Sequence, residues 1–218
     1  MTRSNPVYIL TEEPSIASQF ISELRNVQVQ RDSMRFRRNL ERLGEVLAYK
    51  ISTRLTYAPQ QIQTPLAICE QQQLMEYPVL ATVLRAGLPF HQGFLNYFDQ
   101  SPSAFVAAYR REATSEISVN VDYLTGPSLE GRVLLLVDPM LATGSSLALT
   151  YKAMLRFGNP REVHIAAAIA SPEGLKHIQE QLPQAIIWLG ALDDHLNERA
   201  YIVPGLGDAG DLAYGTKI

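Results

Sequence analysis

The chain has 218 residues, of which 46% are hydrophobic and 19% charged, and its formal net charge is −3. These proportions are typical of a globular domain with a sizeable core, and no apolar run approaches the ~20 residues that a membrane-spanning helix needs. The slight negative charge excludes a global attraction to nucleic acid or anionic membranes, and the amino-terminal segment is too polar for a secretory signal, so a cytoplasmic location is expected.

Residues 31–55 are predicted to form one long amphipathic helix. Its apolar face repeats at helical spacing through Phe36, Leu40, Leu43, Leu47 and Ile51. Its opposite face carries four arginines, Arg31, Arg35, Arg38 and Arg42. Two interpretations of these arginines stay open, a solvated basic face or an anion site for a nucleotide effector or a neighbouring subunit.

The sequence contains one cysteine and four histidines. Cys69 cannot form an intrachain disulfide and is predicted to be a small buried hydrophobe. The histidines lie too far apart along the chain to indicate a metal cluster.

Strand-like and helix-like segments alternate from residue 79 onwards, which predicts an α/β fold with a parallel sheet flanked by helices. The expected core strands are nearly continuously apolar and cover 79–84, 104–109, 132–137, 163–169 and 185–189. The expected helices cover 88–98, 145–157 and 173–182. Residues 115–124 alternate with period two instead, which predicts a half-exposed strand in a hairpin or flap.

No repeat, low-complexity tract or flexible linker divides the chain, so a single domain over 1–218 is expected. Within it we distinguish an N-terminal helical arm at 1–78, an α/β core at 79–190 and a C-terminal segment at 191–218.

The stretch VDPMLATGSS, from Val137 to Ser146, joins a core strand to a helix. Such a turn directs backbone N–H groups and the helix dipole at an anion. The stretch lacks the lysine of GxxxxGK[ST] and the glycines of GxGxxG, and Asp138 precedes the small residues, which suits a phosphorylated ribose. In the alternative interpretation Asp138 caps a turn and the small residues allow close helix packing, and the stretch alone leaves both open.

This arrangement resembles the 5-phosphoribosyl 1-diphosphate (PRPP) motif of type I phosphoribosyltransferases, and DPMLATG resembles the uracil phosphoribosyltransferases in particular. Three further stretches agree, LRAG at 84–87, SPEG at 171–174 and YIVPGLGDAGDLAYGTK at 201–217. The resemblance implies that family's sheet, a small hood and a flap hairpin. It also implies pyrimidine salvage, in which uracil and PRPP give uridine 5-monophosphate (UMP) and diphosphate.

The resemblance assigns PRPP binding to Arg85, Arg110 and Asp208 and to the loop residues Asp138, Pro139, Met140, Leu141, Ala142, Thr143, Gly144, Ser145 and Ser146. In that loop, Thr143 to Ser146 would surround the 5-phosphate and Asp138 would accept the ribose hydroxyls. Asp138, Arg110 and Asp208 are the expected catalytic residues.

The same resemblance makes the C-terminal segment the base-binding part. It assigns uracil to Ile202, Gly207, Asp208 and Ala209. Mg²⁺ is the expected cofactor and is bound through PRPP, without a dedicated protein site.

Three residues depart from the family pattern. Ser145 and His195 stand where the family usually has glycine, and Arg111 stands where it usually has asparagine. Arg111 adds charge beside the expected diphosphate site, Ser145 is tolerable if its φ is negative, and the effect of His195 is left open.

Two alternatives on the same fold are an RNA-binding regulator, which would use a basic face, and a phosphoribosyltransferase for another base. Such regulators keep a second acidic residue where this chain has Pro139. The C-terminal motif favours uracil. A homodimer or higher homo-oligomer is expected, with no membrane or nucleic-acid partner.

Overall fold

The computed structural model describes residues 6–111 and 118–217, and of 108–111 and 118–122 it describes the backbone alone. The strands are β1 (Val7–Ile9), β2 (Tyr57–Gln63), β3 (Ile68–Leu74), β4 (Val79–Leu84), β5 (Ser103–Arg111), β6 (Ser118–Thr125), β7 (Val133–Val137), β8 (Met140–Leu141), β9 (Glu162–Ala170), β10 (Ile186–Leu192), β11 (His195–Leu196) and β12 (Ile202–Val203). The helices are α1 (Ile16–Arg25), α2 (Ser33–Ser52), α3 (Gly87–Leu95), α4 (Ser145–Met154), α5 (Pro172–Gln181) and α6 (Ala209–Tyr214).

Over the described residues, eight strands form the main sheet in the order β1-β10-β9-β7-β4-β5-β6, and β8 pairs with β9. Neighbouring strands run parallel except for β6, which is antiparallel to β5. The predicted α/β fold with a parallel sheet and a hairpin at its edge is therefore confirmed. Of the predicted 115–124 strand, residues 115–117 lie outside the described residues, and the remainder belongs to β6.

Two apolar cores cover the two faces of the sheet, which is why its central strands are apolar throughout. Leu135 and Val137 of β7 pack with α1, α2, α3 and α6 on one face. Leu134 and Leu136 pack with α4 and α5 on the other. Because side chains alternate along a strand, VLLLV contributes to both cores.

The predicted elements differ from the observed ones mainly at their ends. Strand 79–84 has the predicted bounds, and the other core strands are shifted by one to three residues. The long helix begins at Ser33 rather than residue 31 because the Asp32 side chain accepts a hydrogen bond from the N–H of Arg35 at 3.0 Å. The helix predicted at 145–157 ends at Met154 and continues as a 3₁₀ turn, Leu155–Phe157.

The first 78 residues are less helical than predicted. β1 pairs with β10 at the sheet edge, and β2 and β3 form a separate antiparallel hairpin. Cys69 lies in this hairpin and is only half-buried, so its predicted burial is wrong. The hairpin was missed because its residues are mostly polar and exposed on both faces, which leaves no alternating apolar pattern. The division of the chain into three parts stays a prediction.

Helices α2 and α3 pack backbone to backbone through two glycines. A β-carbon on Gly93 would lie 2.0 Å from the carbonyl oxygen of Glu41, and one on Gly44 would lie 2.4 Å from that of Phe90. Since both obstacles are main-chain atoms, neither helix can make room by a side-chain rotation.

Gly93→Ala is therefore expected to lower the stability of the fold. Overpacking costs about 1–3 kcal/mol, which exceeds the ~1 kcal/mol that alanine gains in helix propensity. The urea midpoint of unfolding should fall, whereas Gln92→Ala, at the exposed neighbouring position, should leave it nearly unchanged. Equal midpoints for Gly93→Ala and the wild type would contradict this account of the helix contact.

Candidate active site

Asp138 follows β7 at the carboxyl end of the sheet. Its backbone N–H donates to the carbonyl oxygen of Ala166 at 3.1 Å, and its Oδ1 accepts from the N–H of Met140 at 3.1 Å. The turn-capping contact of the alternative interpretation is therefore present. A carboxylate has about four acceptor sites, so accepting one N–H does not exclude the expected role with ribose hydroxyls.

A small recess lies between the loop after Asp138 and the start of α4. It is lined by Met140, Ala142, Thr143, Gly144, Ser146 and Leu147. Gly144 has φ +76° and precedes the first residue of α4. The first N–H groups of a helix have no intrahelical partner and point at the space in front of it. Ser145, where the family usually has glycine, is the first helical residue and has a negative φ, so its backbone tolerates the side chain.

The SPEG motif supports this loop from behind. The Ser171 hydroxyl donates to the carbonyl oxygen of Ala142 at 2.6 Å and accepts from the N–H of Gly174 at 2.9 Å. A β-carbon on Gly174 would lie 2.1 Å from that same Ala142 oxygen. The motif thus positions the loop through the Ala142 carbonyl group. Neither the fold class nor the periodicity of the sequence predicts that contact.

If the loop holds PRPP, as the resemblance implies, Gly174→Ala is expected to displace the loop at Ala142 and to raise KM for PRPP. Losing one hydrogen bond to a phosphate costs about 1.5–3 kcal/mol, which corresponds to a rise of about tenfold or more. Gln179→Ala, further along α5, is the control and should keep the wild-type KM. An unchanged KM for PRPP in folded Gly174→Ala would show that the loop does not depend on this contact.

Arg85 follows β4, next to β7 in the sheet, and the peptide bond between Leu84 and Arg85 is cis. Its Nη2 donates to Asp211 Oδ1 at 3.1 Å and to the carbonyl oxygen of Gly215 at 3.2 Å. Arg85 therefore forms a partly exposed ion pair with Asp211. Asp211 and Gly215 both belong to the C-terminal motif, so these contacts join LRAG to that motif.

The C-terminal motif forms a short hairpin, a glycine turn and α6. β12 pairs with β11, so His195 lies opposite Val203. Gly207 has φ +94°, and Asp208 caps α6 by accepting from the N–H of Asp211 at 3.0 Å. The other oxygen of Asp208 lies 3.6 Å from Lys217 Nζ. The structure therefore places Asp208 and Arg85 around the same helix, α6.

His195 is exposed near the start of α5. The backbone N–H groups of Glu173 and Leu196 donate to the Glu173 carboxylate and lower its pKa, and His195 adds a smaller favourable charge interaction. His195 thus lies beside Glu173 of the SPEG motif, which supports the loop, and its effect on uracil binding stays open.

The side chains of Arg110 and Arg111 lie outside the described residues. The backbone of Arg110 belongs to β5 and is paired with Val119. β5 is the neighbour of β4, which ends at the same edge of the sheet as β7. The predicted roles of Arg110 and Arg111 at the diphosphate stay predictions.

Three arginines of the predicted basic face are engaged within the protein. Arg35 Nε lies 2.7 Å from Glu23 Oε2, Arg38 Nη1 lies 2.7 Å from Glu41 Oε1, and Arg42 donates to Asn39. Hydrogen bonds from Arg35, Asn39 and Gln19 lower the pKa of Glu23 to about 2. These contacts favour a structural role for the three arginines. Arg35 joins α2 to α1 through Glu23, whereas Arg38 and Arg42 make these polar contacts within α2, and the Arg42 guanidinium also lies over the Phe20 ring of α1.

Among the described residues, no group of three or more His, Cys, Asp or Glu side chains is arranged to hold a metal ion. No helix in the same part of the chain is both long and apolar enough to cross a membrane.

The sheet is mainly parallel, and its strand β7 is followed by an aspartate, a short loop and the N-terminus of α4. This is the architecture of type I phosphoribosyltransferases. An orotate phosphoribosyltransferase from Mycobacterium tuberculosis has this fold, with a TM-score of 0.50 at 12% identity over 84% of this chain and 91% of its own. The AQ2163 protein from Aquifex aeolicus is much more similar, with a TM-score of 0.86 at 30% identity over 97% and 99% of the two chains.

The sequence comparisons identify the family within that class. The family model described as uracil phosphoribosyltransferase matches residues 10–216. A uracil phosphoribosyltransferase from Porphyromonas gingivalis is 49% identical over 96% of this chain and 98% of its own, and one from Agrobacterium fabrum is 39% identical over 84% and 87%. The chain therefore belongs to the uracil phosphoribosyltransferase family.

Proposed function

We propose that this chain carries out its family's reaction, in which uracil N1 displaces diphosphate from C1 of PRPP to give UMP. One observation carries the proposal. Motifs separated in the sequence meet at one end of the sheet, with Asp138 after β7, Arg85 after the adjacent β4, and Arg85 bonded to Asp211 of the C-terminal motif. This arrangement provides separate groups for a phosphate, a sugar and a base.

The sugar phosphate is assigned to the Asp138 loop. In this proposal the N–H groups at the start of α4 and the hydroxyls of Thr143, Ser145 and Ser146 donate to the 5-phosphate. The carboxylate of Asp138 accepts the two ribose hydroxyls, and its negative charge stabilises the oxocarbenium-like sugar of the transition state.

The leaving diphosphate is assigned to Arg85 and Arg110. A guanidinium has five N–H donors, so Arg85 can contact Asp211 through Nη2 and still donate to a diphosphate. Its half-exposed position leaves that side of the guanidinium accessible. Most of the catalytic effect then comes from positioning and electrostatics, because charge builds up on the departing group.

The base is assigned to Ile202, Gly207, Asp208 and Ala209. Ile202 and Ala209 are buried, whereas Gly207 is exposed and its backbone has a positive φ. Uracil offers two carbonyl acceptors and one N–H donor, which backbone groups can complement. Asp208 would contact the base and reach PRPP directly or through water.

Mg²⁺ is assigned to this site as an ion carried by PRPP, which Asp208 would contact through bound water, without a dedicated protein site. When bound, it would neutralise charge on the diphosphate.

The remaining assignments are a homodimer or higher homo-oligomer and a cytoplasmic location. PRPP is highly charged and does not cross membranes unaided, so its consumer is expected in the compartment that makes it. The engaged Arg35 and Arg38 weaken the RNA-binding alternative, since paired arginines have fewer donors for phosphates.

The direct test is to follow UMP formation from uracil and PRPP by the purified chain with Mg²⁺. Reactions without PRPP and reactions with orotate or hypoxanthine in place of uracil are the controls. We expect UMP formation only with uracil and PRPP together. Conversion of a different base, with none of uracil, would contradict the proposal and favour the other-base alternative.

A further inference from the structure

Gly205, in the C-terminal segment, is held at both ends of its main chain. Its N–H donates to Asp193 Oδ2 at 2.8 Å, and its carbonyl oxygen accepts from Arg25 Nη1 at 3.0 Å. The residue has φ +63°, and a β-carbon there would lie 2.0 Å from the carbonyl oxygen of Ile202. The backbone is therefore turned inward at a position that only glycine can occupy without displacement.

The two side chains that hold Gly205 also form a bidentate ion pair. Arg25 Nη1 donates to Asp193 Oδ2 at 2.8 Å, and Nη2 donates to Oδ1. Side-chain exposure is 3% for Asp193 and 23% for Arg25, so water competes weakly for these contacts. Bidentate hydrogen bonds between guanidinium and carboxylate are among the strongest in proteins and also define an orientation.

Both partners are anchored to regular structure. Arg25 is the last residue of α1, and Asp193 follows β10 and donates its N–H to the carbonyl oxygen of Ala170 at 2.8 Å. The pair therefore transmits the position of an N-terminal helix and of the sheet to Gly205. Neither α1 nor residues 193–194 belongs to the motifs that resemble the family's substrate sites.

A second contact holds the following residue. Gln30 Nε2 donates to the carbonyl oxygen of Leu206 at 3.1 Å and to that of Leu24 at 2.8 Å. The next two residues are Gly207 and Asp208, which the proposed function assigns to uracil. Two successive carbonyl groups are thus held immediately before the base-binding residues.

We propose that Arg25 and Asp193 are positioning residues for uracil, acting through the main chain of Gly205. This inference rests on the proposed assignment of uracil to 202–209. The pair contacts no substrate itself. It holds the turn so that the backbone of Gly207 and the carboxylate of Asp208 are presented to the base before the base arrives, which lowers the ordering cost of binding.

Arg25→Lys tests the proposal, because lysine keeps the positive charge but cannot reproduce the planar fork that contacts Asp193 and Gly205 together. We expect KM for uracil to rise about tenfold, with KM for PRPP and kcat each changing by less than about threefold. This split between the two KM values is the decisive measurement, since general loosening of the fold would affect both substrates.

Arg161→Lys is the matched control. Arg161 likewise joins a carboxylate, Glu76, to a glycine carbonyl, that of Gly131 at 2.7 Å, but it precedes β9 at the opposite end of the sheet. Arg161→Lys should weaken the contacts with Glu76 and Gly131 without any change in KM for uracil. Circular dichroism establishes that each variant is folded.

Equal rises in both KM values, or an unchanged KM for uracil in folded Arg25→Lys, would overturn the proposal. If Arg25→Lys does not fold, Gln30→Ala replaces it, and KM for uracil must then rise in that variant while KM for PRPP stays constant. Failure of the uracil assignment itself is separable, because it would leave Gly207→Val active. An inactive Gly207→Val with wild-type uracil KM in Arg25→Lys would refute the positioning role alone.

Discussion

Gly207→Val is expected to abolish uracil conversion, and the wild-type chain is expected to prefer uracil over cytosine by about 10⁴ or more in kcat/KM. Gly207 has φ +94°, which a β-branched residue does not adopt without strain. A β-carbon there would meet nothing nearer than Leu212 Cδ1 at 3.7 Å. The penalty is therefore conformational, and it displaces the backbone that we assign to the base.

Discrimination against cytosine follows from the same geometry. If backbone N–H groups of 202–209 donate to uracil O4, the cytosine amino group at that position sets donor against donor. An unsatisfied buried polar group costs about 1–3 kcal/mol, and a site built on polar pairing rejects such analogues strongly because several pairings are lost together.

The measurement is kcat/KM for uracil and cytosine at saturating PRPP. Gly131→Val is the matched control, since Gly131 has φ +67° and a β-carbon there has open space within 4 Å, at the turn before β7. It should cost stability and leave base preference unchanged. Comparable use of cytosine by the wild type, or full activity in Gly207→Val, would show that this turn does not recognise the base.

Asp138→Asn is expected to fold normally and to lose about ten- to a hundredfold in kcat/KM, the equivalent of one hydrogen bond to a charged group, ~1.5–3 kcal/mol. The amide oxygen can still accept the N–H of Met140, so the local turn is preserved. What disappears is the negative charge facing the ribose, which matters most in the cation-like transition state.

Asp32→Asn provides a matched control for this substitution. The Asp32 carboxylate also accepts a backbone N–H, that of Arg35, at the start of α2, and asparagine caps a helix about as well as aspartate. Its activity and unfolding midpoint should stay near those of the wild type. Turnover close to wild type in Asp138→Asn would remove Asp138 from the proposed ribose contact.

The central sheet was predictable because its strands are long apolar runs that must be covered on both faces. VLLLV at 133–137 and VLATVL at 79–84 carry that signal by themselves. The ends of elements were less predictable, since local contacts such as the Asp32 cap decide them. The polar hairpin of β2 and β3 was not predicted, because residues exposed on both faces carry no hydrophobic pattern.

The residues that we assign to ligands were predictable as motifs, but their arrangement in space was not. Asp138 and Gly144 stand in one strand–loop–helix unit, where spacing along the chain is also spacing in the structure. Arg85 and Asp211 meet across 126 positions, and no periodicity relates them. Ser171 and Gly174 belong to a recognisable motif, yet their contact with the Ala142 carbonyl is visible only in the structure.

The sequence by itself determined the fold class, the family resemblance and the loop that would hold a phosphate, because each of these can be recognised from short continuous stretches of residues. Only the tertiary structure decided what supports the turn that we assign to the base. Arg25 and Asp193 are 168 positions apart and become partners only when α1 and the end of β10 pack together. A side-chain hydrogen bond depends on distance and direction in space, so two polar residues in distant segments leave no local pattern from which their pairing could be predicted.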